Sequence, residues 1–145
     1  MSYTHLLFHL VFATKDRMPL IKPSWEDELY RYLAGIIRNH GGEPIEINGM
    51  PDHAHVFARL EPRESLSDMA RELKAGSSKW AKRFEPKFAW QRRYGAFSVS
   101  ESAAAKVRRY IREQKRHHLQ QSFEDEYRSF LLRHNVDFDE RYLWD

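Results

Sequence analysis

The chain has 145 residues and no cysteine, which excludes a disulfide scaffold, a thiolate zinc site and a cysteine nucleophile. Hydrophobic residues make up 41% and charged residues 31%, the balance of one soluble globular domain rather than of a disordered chain. The longest apolar run, Leu6 to Ala13, is too short to span a bilayer, and neither a secretory leader nor a Gly-x-x-x-x-Gly-Lys loop is visible. These features predict a cytoplasmic protein with no membrane partner and no nucleotide cofactor.

Net charge is only +3, but it is unevenly spread. Between Arg71 and His118 there are 14 basic and 4 acidic residues, a local balance of +10, whereas the segment from Ser122 onward is acidic. A basic half beside an acidic tail is an electrostatic footprint for a phosphate backbone. Solvated helix faces give the same pattern, so charge alone does not decide.

Residues 4–14 are apolar on both alternating faces, as in a central strand. Pro23-Ser24 then opens a helix, with Ser24 and Asp27 spaced as an N-terminal cap. Trp25, Leu29, Tyr32, Leu33, Ile36 and Ile37 recur at helical spacing until Gly41-Gly42 stops the pattern. Ile45 and Ile47 alternate with polar residues, Gly49-Met50-Pro51-Asp52 is a turn, and His53 to Leu60 alternates again, so a hairpin is predicted. A second helix runs from about Ser65 to Phe84, a strand from Tyr94 to Ser100, and further helices over roughly 101–118 and 123–134. The order β-α-β-β-α-β predicts an α+β, ferredoxin-like antiparallel sheet with added C-terminal helices. A single domain covers 1–145, with a core at about 3–118 and a helical, acidic tail at about 119–145.

Two groups of residues stand out for chemistry. His53-Ala54-His55 lies on the second hairpin strand, so both imidazoles leave one sheet face, while Ala54, Val56, Ala58 and Leu60 take the face that helices would cover. Two histidines at i and i+2 on a strand can converge on one cation, although a chain this rich in histidine also produces such pairs by chance. Tyr110 and Gln114 are one turn apart on a helix whose inward face includes Ala103, Val107 and Ile111. A tyrosine on such a stripe is ordinarily a core residue. An inward glutamine is less comfortable, because its buried amide needs partners.

Taken jointly, Met50-Pro51-Asp52-His53-Ala54-His55-Val56, Tyr94-Gly95-Ala96-Phe97-Ser98-Val99-Ser100 and Tyr110-Ile111-x-x-Gln114 resemble the single-tyrosine transposases of the HUH superfamily. These are small insertion-sequence transposases and their relatives associated with repetitive extragenic palindromes. The resemblance extends from about Tyr3 to Trp144. It implies His53, His55 and Gln114 as ligands of a divalent metal, Mg²⁺ or Mn²⁺, and Tyr110 as nucleophile. It further implies hairpin-bearing single-stranded DNA as substrate and a homodimer, in which the tyrosine helix can cross to the histidines of the partner.

Residue chemistry accords with that implication. Two imidazoles and an amide form a neutral ligand set that leaves a cation its full charge for polarising a phosphate. Tyr110 would retain the DNA 5′ end as a phosphotyrosine and release a 3′ hydroxyl. For the strand itself, the segment Trp90-Gln91-Arg92-Arg93-Tyr94, read as a loop, offers a flat ring and cations. Lys79 on the second helix and Arg108 and Arg112 beside Tyr110 add further charge. Trp80 matches an apolar stripe and is assigned to the core. The competing reading is a non-catalytic, single-stranded nucleic-acid-binding module built on the same sheet.

Overall fold

The computed structural model describes residues 2–144. Four strands, β1 (Leu6–Thr14), β2 (Glu43–Met50), β3 (His53–Leu60) and β4 (Trp90–Val99), form one antiparallel sheet in the order β2-β3-β1-β4. Helices α1 (Glu26–Asn39) and α2 (Leu66–Ala81) make the two crossovers. This is the ferredoxin-like topology, and β1 is central as its two-sided apolar pattern requires. Three helices follow: α3 (Ala104–Arg112), α4 (Gln114–His117) and α5 (Phe123–Arg133).

Strand alternation sorts the core into two layers. Phe8, Leu10 and Phe12 of β1 and Ala54, Val56 and Ala58 of β3 face Leu29, Leu33 and Ile37 of α1 and Met69, Ala70 and Leu73 of α2. On the opposite face, Val11, Ala13 and Phe97 pack against Phe123, Tyr127, Phe130 and Leu131 of α5, while Leu7 and Phe57 meet Ile111 of α3. The sheet is therefore covered on both sides. The acidic tail is no appendage, since its apolar stripe roofs the histidine face, and Glu124 reaches outward to Arg17 at 2.8 Å.

Several boundaries differ from the sequence reading. Helix α1 starts at Glu26 behind Trp25, and no side chain caps it, so Ser24 does not serve as expected. The buried Trp25 ring fixes this end instead, and Glu26, Asp27 and Glu28 complement the helix dipole. Gly41, at φ +79°, supplies the left-handed residue that stops α1. Ser65 caps α2, its Oγ accepting from the Asp68 amide at 3.0 Å. Gly49 belongs to β2, paired with Ala54, so the hairpin turn contains only Pro51 and Asp52. The expected helix at 101–118 is split: a 3₁₀ turn covers Glu101–Ala103, and α3 and α4 are separated at Glu113.

Candidate active site

His53 and His55 project from β3 toward the face roofed by the C-terminal helices, and both are 0% exposed. The face expected to be open is thus enclosed. Each ring is held through its Nδ1: His53 by Asp52 Oδ1 at 2.7 Å, and His55 by His9 Nε2 at 2.7 Å. A ring fixed at Nδ1 presents Nε2 in a defined direction, the arrangement found behind metal-ligating histidines. Both Nε2 atoms converge on the same space.

The tyrosine and glutamine reach that space from α3 and α4. Asn48 of β2 donates through Nδ2 to the carbonyls of Ile111 and Arg112 at 3.1 and 3.0 Å, engaging acceptors that the end of α3 leaves free. Lys115 Nζ adds a bond to the Gly49 carbonyl, so the break between α3 and α4 is anchored to β2. Despite that break, Gln114 is buried beside His53, its Oε1 at 3.2 Å from the imidazole Nε2. The Tyr110 ring stacks on His117 at 4.6 Å and meets Phe130 edge-on at 5.6 Å. Tyr110, Gln114 and both histidines thus come together within one chain.

Glu126 of α5 stands at the centre, 1% exposed. Its Oε1 lies 3.0 Å from His55 Nε2, 3.3 Å from His53 Nε2 and 3.2 Å from His118 Nε2. Its Oε2 accepts from Gln114 Nε2 at 3.1 Å and from the Tyr110 hydroxyl. A buried carboxylate without partners costs several kcal/mol, so these contacts are what makes its position tolerable. Sequence reasoning does not single out Glu126, His118 or His9. Glu126 sits in the run Glu124-Asp125-Glu126, which resembles a solvated helix start, yet its spacing to Phe123, Tyr127 and Phe130 places it on the apolar stripe. His9 carries a comparable signal as the one polar residue in the run Leu6 to Ala13.

The electrostatics follow from this packing. Burial opposes ionisation of Glu126, but the charge on His55 and hydrogen bonds from His118, His53 and His55 outweigh it, holding the carboxyl far below its usual range. Burial also pulls His53 down, but hydrogen bonds to Asp52 and Glu126 overcome it and leave the imidazole above its ordinary value. His55 and His9 are lowered instead, chiefly by burial. For Tyr110, burial and then the adjacent Glu126 anion both push the phenol well above 10.0.

The donor set suits a divalent cation. Ligand atoms of His53, His55, His118 and Glu126 all lie within 4.8 Å of one another, with the Gln114 amide oxygen beside them. Imidazole mixed with oxygen donors matches Mn²⁺ and related first-row ions.

The expected DNA contacts divide. Trp90 is not in a loop: it opens β4, packs on Phe12 and Phe88, is 9% exposed and donates from Nε1 to Ser77 Oγ at 2.9 Å. It is a core residue, and its indole is not available for base stacking. Trp80 packs against the same core, stacked on Tyr32 at 5.2 Å. Arg92 and Arg93 are exposed on β4, an edge strand, and Lys79 is exposed on α2. Arg108 and Arg112 lie 3.6 and 3.1 Å from Glu46, which offsets part of their charge.

The fold is that of the single-tyrosine transposases of the HUH superfamily. A family profile described as transposase IS200 like matches residues 2–114, and the chain belongs to that family. It is 27% identical over 117 residues to the ISDra2 transposase TnpA of Deinococcus radiodurans, covering 75% of this chain and 84% of the relative. A crystal structure solved as a candidate transposase of Deinococcus radiodurans R1 superposes with a TM-score of 0.64 at 26% identity, covering 78% of this chain and 93% of that one. The fold is also that of a REP-associated tyrosine transposase bound to a REP hairpin, with a TM-score of 0.59 at 18% identity, covering 78% of this chain and 68% of that one. No helix among the described residues is long and apolar enough to cross a membrane.

Proposed function

We propose that this protein cleaves and rejoins single-stranded DNA at hairpin-marked ends, with Tyr110 as the nucleophile. The observation that carries the reading is the meeting of the Tyr110 hydroxyl with the Nε2 atoms of His53 and His55 and the amide of Gln114 in one buried cluster. The Tyr110 oxygen bonds to the scissile phosphorus as the bond to the 3′ oxygen breaks. The DNA 5′ end is left as a phosphotyrosine and the 3′ end as a hydroxyl. That hydroxyl, or one from a second strand, reverses the step and restores a phosphodiester, so no nucleotide hydrolysis is needed.

His53, His55 and Gln114 would hold a divalent ion, Mg²⁺ or Mn²⁺, with His118 and Glu126 within reach. Such an ion would polarise the phosphate and counter the Glu126 charge that keeps Tyr110 protonated. Asp52 and His9 orient the two imidazoles, and the Asn48 and Lys115 contacts fix the end of the tyrosine helix. The exposed Arg92, Arg93 and Lys79 would contact DNA phosphates. A homodimer would carry two such sites.

The hairpin in the reading is supported by the REP hairpin bound to the neighbour of similar fold. The test is formation of a covalent protein–DNA adduct on hairpin-bearing single strands with added Mn²⁺, which Tyr110→Phe must abolish.

A further inference from the structure

A cavity of about 470 Å³ opens beside Tyr110, between the end of β4, α3 and the C-terminal end of α5. We propose that it is a subsite for one unstacked deoxynucleotide of the strand adjoining the scissile phosphate. The inference rests on Tyr110 being the strand-cleaving nucleophile, and it names a part of the substrate that the reaction alone does not require to be bound.

Size, chemistry and position agree. The volume lies within the roughly 300–1,000 Å³ of small-ligand sites. Its wall is apolar and aromatic, lined by the largely buried Phe97 and Phe130 and by the exposed His134, which stacks on Phe97 at 4.6 Å and is the ring that a base can reach. Its charged lining residues are the exposed Lys106 and Arg133, and no carboxylate lines it. The Arg133 guanidinium lies over the Phe130 ring at 5.3 Å and bonds to Ser129 Oγ at 3.2 Å, which keeps it at the mouth. Tyr110 is itself a lining residue, so a nucleotide seated here has its phosphate next to the nucleophile.

An apolar wall with two cations and no acid suits a base bearing a phosphate. It suits a bare anion or an apolar peptide less well. A nucleotide in a duplex has its base stacked on both sides, so only a splayed base can enter, which favours single-stranded substrate. Phe130, Arg133 and His134 lie beyond the 2–114 family match, so this wall comes from the chain's own C-terminal segment.

The experiment is an amide NMR titration of the full chain with the four deoxynucleoside 5′-monophosphates, alongside inorganic phosphate, for wild type, Lys106→Gln and Arg133→Gln. Both substituted positions are exposed, so the fold is retained. Saturable shifts at Ser98–Ser100, Lys106, Arg133 and His134 are expected. Removing one charge-assisted bond to phosphate should weaken binding about ten-fold in Arg133→Gln. No saturable shift, shifts unchanged in both variants, or inorganic phosphate binding as tightly as the nucleotides would overturn the proposal. Adduct formation by the same preparation separates the two readings. An adduct without a nucleotide in the cavity removes the subsite alone. A nucleotide in the cavity without an adduct supports the subsite and removes the nucleophile.

Discussion

Tyr110 of α3 donates its hydroxyl proton to the carboxylate of Glu126 on α5, although the two are 16 residues apart in the chain. The same carboxylate bonds to both strand histidines, so the group that holds the tyrosine proton also faces the atoms that would hold a metal. One anion therefore couples the nucleophile to the ligand cluster.

Glu126 makes stability depend on acid in a defined direction. Its folded pKa is depressed from 4.5, so its contribution is fully present above that value and is lost as pH falls below it. Urea unfolding of the metal-free protein should show the midpoint dropping as pH is lowered through this range. Glu126→Gln should cost about 3 kcal/mol at neutral pH by breaking a buried charged cluster, and should flatten the acid limb. An acid limb unchanged in Glu126→Gln would place the titrating group elsewhere.

Replacing His55 should affect both the fold and the ion. The residue is fully buried and bonded on both ring nitrogens, so His55→Ala is expected to lose about 1–3 kcal/mol through partners left unsatisfied. Calorimetric titration with Mn²⁺ at a temperature where the variant remains folded should show binding weakened at least about ten-fold. Equal affinity in wild type and variant would make His55 an ordinary sheet residue.

Arg92 and Arg93 extend from an edge strand into solvent, where a DNA backbone can reach them. Neutralising one arginine that pairs with a phosphate should reduce the slope of log K against log salt by about 0.7 for a single strand. Filter binding of a hairpin-bearing single strand by the double glutamine variant measures this directly. An unchanged slope would leave the two arginines merely solvated.

Most of the architecture is legible in the residues. Two-sided apolarity marks β1 as central, strict alternation places His53 and His55 opposite Ala54 and Val56, and the glycine pair at 41–42 ends α1. The enclosure of the histidine face is not legible in the same way, because an acidic run at the start of α5 conceals a residue on its apolar stripe. Trp90 misleads for a related reason: Arg92 and Arg93 read as a loop, yet an edge strand can expose successive cations and still bury the ring that opens it. The break at Glu113 leaves no local signal because its cause lies far away in sequence, in Asn48 capturing two carbonyls of α3.

Closure of the site within one chain bears on subunit mixing. Tyr110→Phe keeps intact histidines and His55→Ala keeps an intact tyrosine, but each chain's own site lacks one essential group. A mixture shown to exchange subunits should therefore stay inactive in strand cleavage. Recovery of activity would mean that α3 exchanges between copies and that the two halves of the site meet across an interface.

The central claim is that Tyr110 forms a covalent bond to DNA, and the most direct measurement is the adduct itself. Wild-type protein incubated with labelled, hairpin-bearing single strands and Mn²⁺ should give a labelled band that survives denaturing electrophoresis. Peptide mapping should place the label on Tyr110, and chelation of the metal should abolish the band. In Tyr110→Phe the yield should fall by at least about 10³-fold, as expected on removing a covalent nucleophile, with hairpin binding kept within a few-fold. A full-strength adduct in Tyr110→Phe, or label mapped to Tyr94 or Tyr127, would contradict the account.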